Sequence, residues 1–285
     1  MTSHADGPDV TVERDPRRFL AEAGPYLAGH RTTCSMVITT THLWLAGEPP
    51  AADRLAFQVR AADGTIAGVA VTAGAAGMVL SPMPAEAATA LEAALSGLGA
   101  RISTVTGPAR PARLVAERHG ARTGREPGPG RRFRMYAVDS LPPRDTPGSP
   151  RRAGAADLPL LGAWLSTFYA DADRERAAAR ADHLVHHGHG LLWEVAGEPV
   201  AFCGCVGPLL GVLHAGPVYT HPGHRGAGYG DAVWRAAHGI WRALGADLIT
   251  HWINLDYPPT NAMLTNAGGR PLDEVHEYVL PARPG

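Results

Sequence analysis

Lysine is absent from this sequence of 285 residues, in which all 26 basic residues are arginines. Its absence excludes Schiff-base chemistry and the lysine that nucleoside-triphosphate-binding loops require. Acidic and basic residues nearly cancel, and the formal net charge is -1. A chain so close to neutrality gives no electrostatic reason to expect a nucleic acid as partner.

Cysteine is also scarce, and its three positions, Cys34, Cys203 and Cys205, do not form a disulfide framework. Cys203 and Cys205 are two residues apart in an apolar segment, which predicts that they lie buried on one face of a strand. This pair lacks the further ligands of a zinc site, so we expect no metal.

Long uninterrupted apolar runs are missing as well. The most apolar stretch, residues 190–218, contains glutamates, prolines and glycines, which favours buried strands over a membrane span. Residues 1–18 are polar and have no apolar core of the signal-peptide kind. We therefore expect a cytoplasmic protein without a membrane partner.

Proline marks the clearest boundary in the chain, because residues 141–152 contain four prolines. Such a composition is typical of an extended linker. It predicts a first domain over residues 1–140 and a second over residues 153–285, each of ordinary domain size.

The two halves repeat one pattern: helical segments, a hairpin, a strand, an amphipathic helix, a strand, a short helix and a final strand. These elements are predicted from turn residues and from the spacing of apolar residues, which recur every two residues in strands and every 3.6 residues in helices. The same order twice predicts tandem copies of one α/β domain; the alternative is two unrelated α+β domains. The hairpins, third strands and following helices are predicted at residues 54–74, 78–81 and 85–98, and at residues 190–207, 213–220 and 231–244.

The stretch Gly216–Ala237, GPVYTHPGHRGAGYGDAVWRAA, carries the clearest functional signal. It predicts a strand, a glycine-rich loop with the pattern R/Q-x-x-G-x-G/A, and an amphipathic helix. Glycines permit positive φ and close approach of a ligand, and the amides at the helix N-terminus can hold a pyrophosphate. The alternative is a glycine-rich turn without a ligand.

This arrangement resembles the GNAT superfamily of acyl-CoA-dependent N-acyltransferases. The resemblance covers residues 152–280 and includes a later segment, NLDYPPTNAMLTNAGGR, similar to the Asn-containing helix before the last strand of these proteins. It implies an α+β fold of two GNAT-like domains, each a mixed, mostly antiparallel sheet flanked by helices. The plan is similar to two-domain actinobacterial GNAT proteins with a degenerate first copy. The first half has SPMPAEAATAL in place of the loop, so we expect no CoA site there.

The resemblance also implies which residues contact acetyl-CoA or another acyl-CoA, the expected co-substrate. Strand backbone pairs with the pantetheine arm, a loop wraps the pyrophosphate, and an asparagine side chain meets the pantetheine or thioester end. These three groups are, in that order, Val218, Tyr219 and Thr220; Arg225, Gly226, Ala227, Gly228, Tyr229 and Gly230; and Asn261.

The acyl transfer needs a base for the amine proton and often an acid for the leaving thiolate. His214 occupies the position of the glutamate base of histone-acetylating relatives, and Glu194 acting through water is an alternative. Both residues also have a purely structural interpretation. His214 would be a strand histidine that packs within the sheet, and Glu194 would lie on a solvent-facing side of its strand. The usual tyrosine acid is replaced by Leu264, which leaves Tyr257, Tyr219 or unassisted departure of the thiolate.

Four histidines occur between His183 and His189. A solvated helix end is the expected interpretation. Metal binding by His183 and His187, which are four residues apart, and contact with the acceptor substrate are the alternatives.

These features predict an enzyme that moves an acetyl or other short acyl group from CoA to an amine of a small molecule. The alternative is a non-catalytic acyl-CoA-binding protein, or a GNAT fold recruited to other chemistry, which the replacement by Leu264 keeps open.

Overall fold

A computed structural model describes residues 7–47, 53–74, 77–139, 141–169, 174–256 and 258–281. The chain forms two compact units. The first contains residues 1–137, 252–265 and 270–285, and the second contains residues 138–251 and 266–269. The expected α/β class with mostly antiparallel strands is confirmed.

The first unit contains a sheet in the order β1-β2-β3-β4-β5-β12-β6. Its pairs are antiparallel except β4 with β5, which are parallel. The elements are β1 (Asp9–Glu13), α1 (Pro16–Gly29), α2 (Ser35–Leu45), β2 (Ala56–Arg60), β3 (Ile66–Ala73), β4 (Gly77–Leu80), α3 (Ala85–Gly97), β5 (Thr104–Gly107), α4 (Ala109–Thr123), β6 (Gly128–Ala137), α8 (Pro258–Asn266, of which residue 266 counts with the second unit) and β12 (Arg270–Val279).

The core of this unit lies where α3 and α4 cover the sheet. Their apolar stripes bury Leu91, Leu95 and Val115 against Phe57 and Val105. The spacing of these leucines at three to four residues explains why α3 forms where periodicity predicts it.

The second unit contains a sheet in the order β11-β10-β9-β8-β7, antiparallel except for β10 with β11. Helices α5 and α6 pack on each other, and Leu161, Leu165 and Leu184 join Phe202 in the core. The elements are β7 (Ser149–Arg152), α5 (Leu158–Phe168), α6 (Arg174–His186), β8 (Leu191–Val195), β9 (Glu198–Leu209), β10 (Val212–Thr220), α7 (Tyr229–Ala243) and β11 (Leu248–Asn254, of which residues 252–254 count with the first unit).

Both units use one plan. The strands β1-β2-β3-β4-β5 and β7-β8-β9-β10-β11 follow the same order, and in each the fourth strand connects through a helix to a parallel fifth strand. Cys203 and Cys205 are fully buried in β9, as the sequence predicts.

The last strand differs from the sequence-based division, which places residues 153–285 together. β12 hydrogen-bonds to β5 and β6, with Tyr278 opposite Val105 and Val275 opposite Phe133. A non-local pairing of this kind leaves no trace in local periodicity.

The predicted linker, residues 141–152, extends too far, because residues 149–152 form strand β7 and pair with β8. Pro150 is tolerated there since β7 is the edge strand of its sheet. Among the described residues, no helix has both the length and the apolar character that a bilayer crossing requires.

Candidate functional site

Strands β10 and β11 separate partway along their length. The two strands are paired in parallel where Val212–His214 lie beside Leu248–Thr250. Among the described residues, no pairing between β10 and β11 continues beyond His214. An irregularity between Ala215 and Val218, where Gly216 has φ +143, redirects β10. The backbone from Val218 to Thr220 then pairs with β9 on one side. Its other side is thereby suited to pair with an extended ligand.

The glycine-rich loop follows β10 and leads into α7. Gly226 and Gly228 have φ of +84 and +82, and Gly228 is the N-cap of α7. A Cβ atom added to either glycine would meet no atom within 4 Å, so both face open space. The first amides of α7, from Tyr229 onward, have no acceptor within the helix. The loop therefore presents amide donors and the positive end of a helix dipole, as an anion requires.

Gly230 has a different role from the other two glycines. A Cβ atom here would lie 2.8 Å from Thr220 Oγ1, closer than atoms in contact allow. Glycine at this position lets the first turn of α7 lie against the end of β10. The two glycines thus serve different purposes: Gly228 adopts the positive φ of the loop, and Gly230 allows the helix to pack closely against the strand.

The charges around the loop also favour an anion. Arg225 donates from Nε to the Thr220 carbonyl oxygen at 3.2 Å, which fixes its guanidinium at the end of β10. Asp231, the carboxylate in the first turn of α7, is ion-paired with Arg235 at 2.8 Å and Arg144 at 3.2 Å. Because these two arginines offset its charge, Asp231 does not oppose an anion at the helix N-terminus.

A row of aromatic rings runs beside the loop, and the sequence analysis did not single out most of it. The Trp164 ring centre lies 5.3 Å from that of Tyr219 and 6.4 Å from that of His221. His221 is 5.6 Å from His224, which is 6.4 Å from Tyr229. Only the sheet pairing of β10 brings Trp164 of α5 here, so no local sequence signal identifies it.

His214, the predicted base, lies in the middle of the sheet. It pairs with Val206 of β9 and Thr250 of β11. Burial lowers its pKa to about 3, the charge of Arg180 adds to the effect, and a hydrogen bond to the Thr250 backbone opposes it. The imidazole is therefore neutral at physiological pH and a weak proton acceptor.

Glu194, the alternative base, belongs to an ion-pair network. Its Oε1 accepts from Arg151 Nε at 2.6 Å, and the same guanidinium donates to both carboxylate oxygens of Asp157 at 2.7 and 2.8 Å. These bonds hold β7 on β8 and anchor the turn before α5. Two carboxylates raise the pKa of Arg151, so this cation stays charged.

The remaining predicted residues lie in the first unit. Asn261 donates from Nδ2 to the Asn254 carbonyl oxygen at 3.3 Å, which ties α8 to the end of β11. Leu264, at the position of the usual acid, is fully buried. Tyr257 lies outside the described residues.

Comparison with known proteins supports the resemblance. Residues 158–264 match the family model described as the Acetyltransferase (GNAT) family. This segment runs from α5 into α8 and includes the whole glycine-rich loop. No curated protein sequence matches the chain.

Solved structures resemble the chain along nearly its full length. A GCN5-related N-acetyltransferase from Sphaerobacter thermophilus is 16% identical over 99% of this chain and 98% of its own, with a TM-score of 0.65. A GNAT-family acetyltransferase from Colwellia psychrerythraea is 11% identical over 96% and 100%, with a TM-score of 0.62. A tandem GNAT protein from the clavulanic acid biosynthesis pathway is 14% identical over 98% and 99%, with a TM-score of 0.57. At these identities the likeness shows the fold, and the chain has the GNAT fold.

Proposed function

We propose that this chain is an acyl-CoA-dependent N-acyltransferase that moves an acetyl or other short acyl group to an amine of a small molecule. The observation that carries the proposal is the loop Arg225–Gly230, with its two positive-φ glycines facing open space at the N-terminus of α7. The match of residues 158–264 to the GNAT family supports it.

In this proposal most of the donor contacts lie in the second unit. Amides of the loop and of the first turn of α7 hold the CoA pyrophosphate, and Arg225 adds a positive charge. The free edge of β10 from Val218 to Thr220 pairs with the pantetheine amides. Asn261 contacts the pantetheine or thioester end.

The reaction balances without a further reactant. The amine nitrogen attacks the thioester carbonyl carbon, a C–N bond forms, the C–S bond breaks and CoA leaves as a thiolate. The amine loses a proton, and the thiolate takes one up or stays ionised. A backbone N–H of β10 polarises the carbonyl oxygen as charge develops on it.

We propose His214 as the proton acceptor, with Glu194 and Tyr257 as the other catalytic candidates. The low pKa of His214 means that its ring is unprotonated throughout the neutral range, but also that proton transfer to it from an amine is unfavourable. Amide formation then depends mainly on positioning and on an amine that arrives deprotonated. Leu264 cannot donate a proton, so either Tyr257 or Tyr219 protonates the thiolate, or the thiolate, whose conjugate thiol has a pKa near 8.5, leaves unassisted.

Free-thiol release tests the proposal. Acetyl-CoA is supplied with a panel of small primary amines, and CoA binding is measured in parallel by calorimetry. Turnover with at least one amine is the expected result. Binding of CoA without turnover on any amine would support the second candidate, a non-catalytic acyl-CoA-binding protein, which the buried Leu264 favours.

A further inference from the structure

Three histidine rings meet at the C-terminal end of α6, within the second unit. The ring centres of His183 and His187 are 4.5 Å apart, those of His187 and His189 are 5.7 Å apart, and those of His183 and His189 are 6.1 Å apart. His183 and His189 are buried, with 4% and 8% exposure, whereas His187 is exposed. One side of the cluster is thus closed by protein and the other faces solvent.

The backbone holds this cluster in place. His187 lies one turn after His183, and its amide bonds to the His183 carbonyl oxygen at 3.1 Å. Gly188 then adopts φ +65, which reverses the chain at the helix end. The amides of His189 and Gly190 both bond to the Leu184 carbonyl oxygen, at 2.8 and 3.1 Å. These bonds fix the backbone of His189 beside the last turn of α6.

The spacing fits an ion bound by three imidazoles. Zinc binds histidine nitrogen at about 2.0–2.1 Å in tetrahedral geometry, which puts the ring centres of its histidines roughly 5 Å apart. The three observed separations lie on both sides of that value. Ligand nitrogens of His183 and His189 already lie within 4.8 Å of each other. The exposed His187 side chain must turn to bring one of its nitrogens to the same ion as His183 and His189.

We propose that His183, His187 and His189 form a binding site for a divalent transition metal, with Zn²⁺ as the preferred ion. Imidazole ligands select zinc, cobalt, nickel or copper over magnesium and calcium. A water molecule on the exposed side completes the tetrahedron. The ion links the end of α6 to the start of β8, so it stabilises the second unit. This site departs from the sequence expectation of a solvated helix end.

The Arg152 guanidinium limits the affinity of the site. Its Nη1 lies 3.1 Å from the position of a Cβ added to Gly188, next to the cluster. A fixed positive charge there repels a cation, so we expect reversible binding that a chelator removes.

Cobalt titration of the untagged, EDTA-treated full chain tests the site. We expect visible absorption bands of tetrahedral Co²⁺ that saturate at one ion per chain, are displaced by Zn²⁺ and are unaffected by Mg²⁺. His187→Ala, at an exposed position, should weaken Co²⁺ binding at least tenfold, and so should His189→Ala. His186→Ala is the matched control: His186 is exposed on the same turn, and among the described residues its ring contacts that of His187 but neither that of His183 nor that of His189.

Thermal unfolding gives a second readout that does not depend on the spectrum. Zn²⁺ should raise the melting temperature of the parent protein and of His186→Ala, but not that of His187→Ala. The proposal is overturned if the parent protein binds no Co²⁺, if His187→Ala binds it as the parent does, or if His186→Ala loses it equally. None of these outcomes depends on acyl transfer, so the site and the proposed function are tested separately.

Discussion

The Nε2 atoms of His238 and His251 lie 3.3 Å apart in the interior of the second unit, with their rings parallel within 9°. An N–H···N hydrogen bond needs a proton on only one of these two atoms, so the two rings cannot both be protonated at Nε2. Burial lowers the pKa of His238 to about 3 and that of His251 well below its usual value. The positive charges of Arg242 and Arg235 add to the effect at His238.

Neutral buried histidines predict loss of stability in mild acid. Above pH 6.5 both folded and unfolded chains hold these rings neutral, and they make no contribution. Below it the unfolded chain takes up protons that the folded chain refuses, so stability falls as pH falls. His214 and His238 should each cost about 2 kcal/mol at pH 5, from about 1.4 kcal/mol per pH unit, and His251 should act in the same direction.

Urea unfolding between pH 8 and pH 5 measures this effect before most carboxylates titrate. His238→Asn should lower the pH slope by one proton, whereas His186→Asn, at an exposed position, should leave it unchanged. A midpoint that stays constant from pH 8 to pH 5 would show that the buried rings are not held neutral.

Gly230 and Thr220 provide a test of the packing that holds the loop. Gly230→Ala places a methyl group against Thr220 Oγ1 and should destabilise the fold by about 1–3 kcal/mol. Thr220→Ala removes that oxygen, so the double variant should recover most of the loss. Additive effects of the two substitutions would show that they do not meet.

Glu194 can be assigned to structure or to catalysis by comparison with its partner. The ion pair with Arg151 is partly exposed, so Glu194→Gln should cost about 0.5–1 kcal/mol of stability. Arg151→Gln should cost more, because it also removes both hydrogen bonds to Asp157. We expect both variants to keep kcat within a few-fold of the parent. A fall in kcat of about 10²-fold or more in Glu194→Gln alone would identify this residue as the base.

The pH-rate profile addresses His214. With its pKa near 3, it is unprotonated over the whole neutral range, so the rise of rate with pH should follow the pKa of the amine and shift from one amine to another. His214→Ala should lower kcat, leave CoA affinity close to that of the parent, and keep this profile. An inflection near pH 6.5 that is independent of the amine and disappears in His214→Ala would contradict the buried, neutral state.

Local patterns predict much of this protein because its elements are locally consistent. The apolar stripe of α7, the hairpin of β8 and β9, and the strand, loop and helix around Gly228 are all readable from spacing and turn residues. Glycines at positions 226 and 228 predict positive φ there, because glycine adopts this backbone conformation without steric cost.

The features that the sequence does not reveal depend on distant contacts. Residues of β7 pair with β8 about 40 residues later in the chain, and β12 pairs with strands more than 100 residues earlier. The low pKa of His214 arises from burial in a sheet and from Arg180, neither of which is visible around position 214. The sequence thus identifies residues that could take part in catalysis or binding, whereas tertiary contacts determine their burial and their pKa values.

CoA titration of two glycine variants tests the central claim, that the loop of the second unit holds the CoA pyrophosphate. Gly228→Ala and Gly245→Ala put the same side chain at φ +82 and φ +90, both facing open space, at opposite ends of α7. The strain at each, about 1 kcal/mol, should lower their melting temperatures alike. Calorimetry should show one CoA per chain for the parent and for Gly245→Ala, and affinity at least tenfold weaker for Gly228→Ala. Equal CoA affinity in the two folded variants would contradict the assignment of this loop.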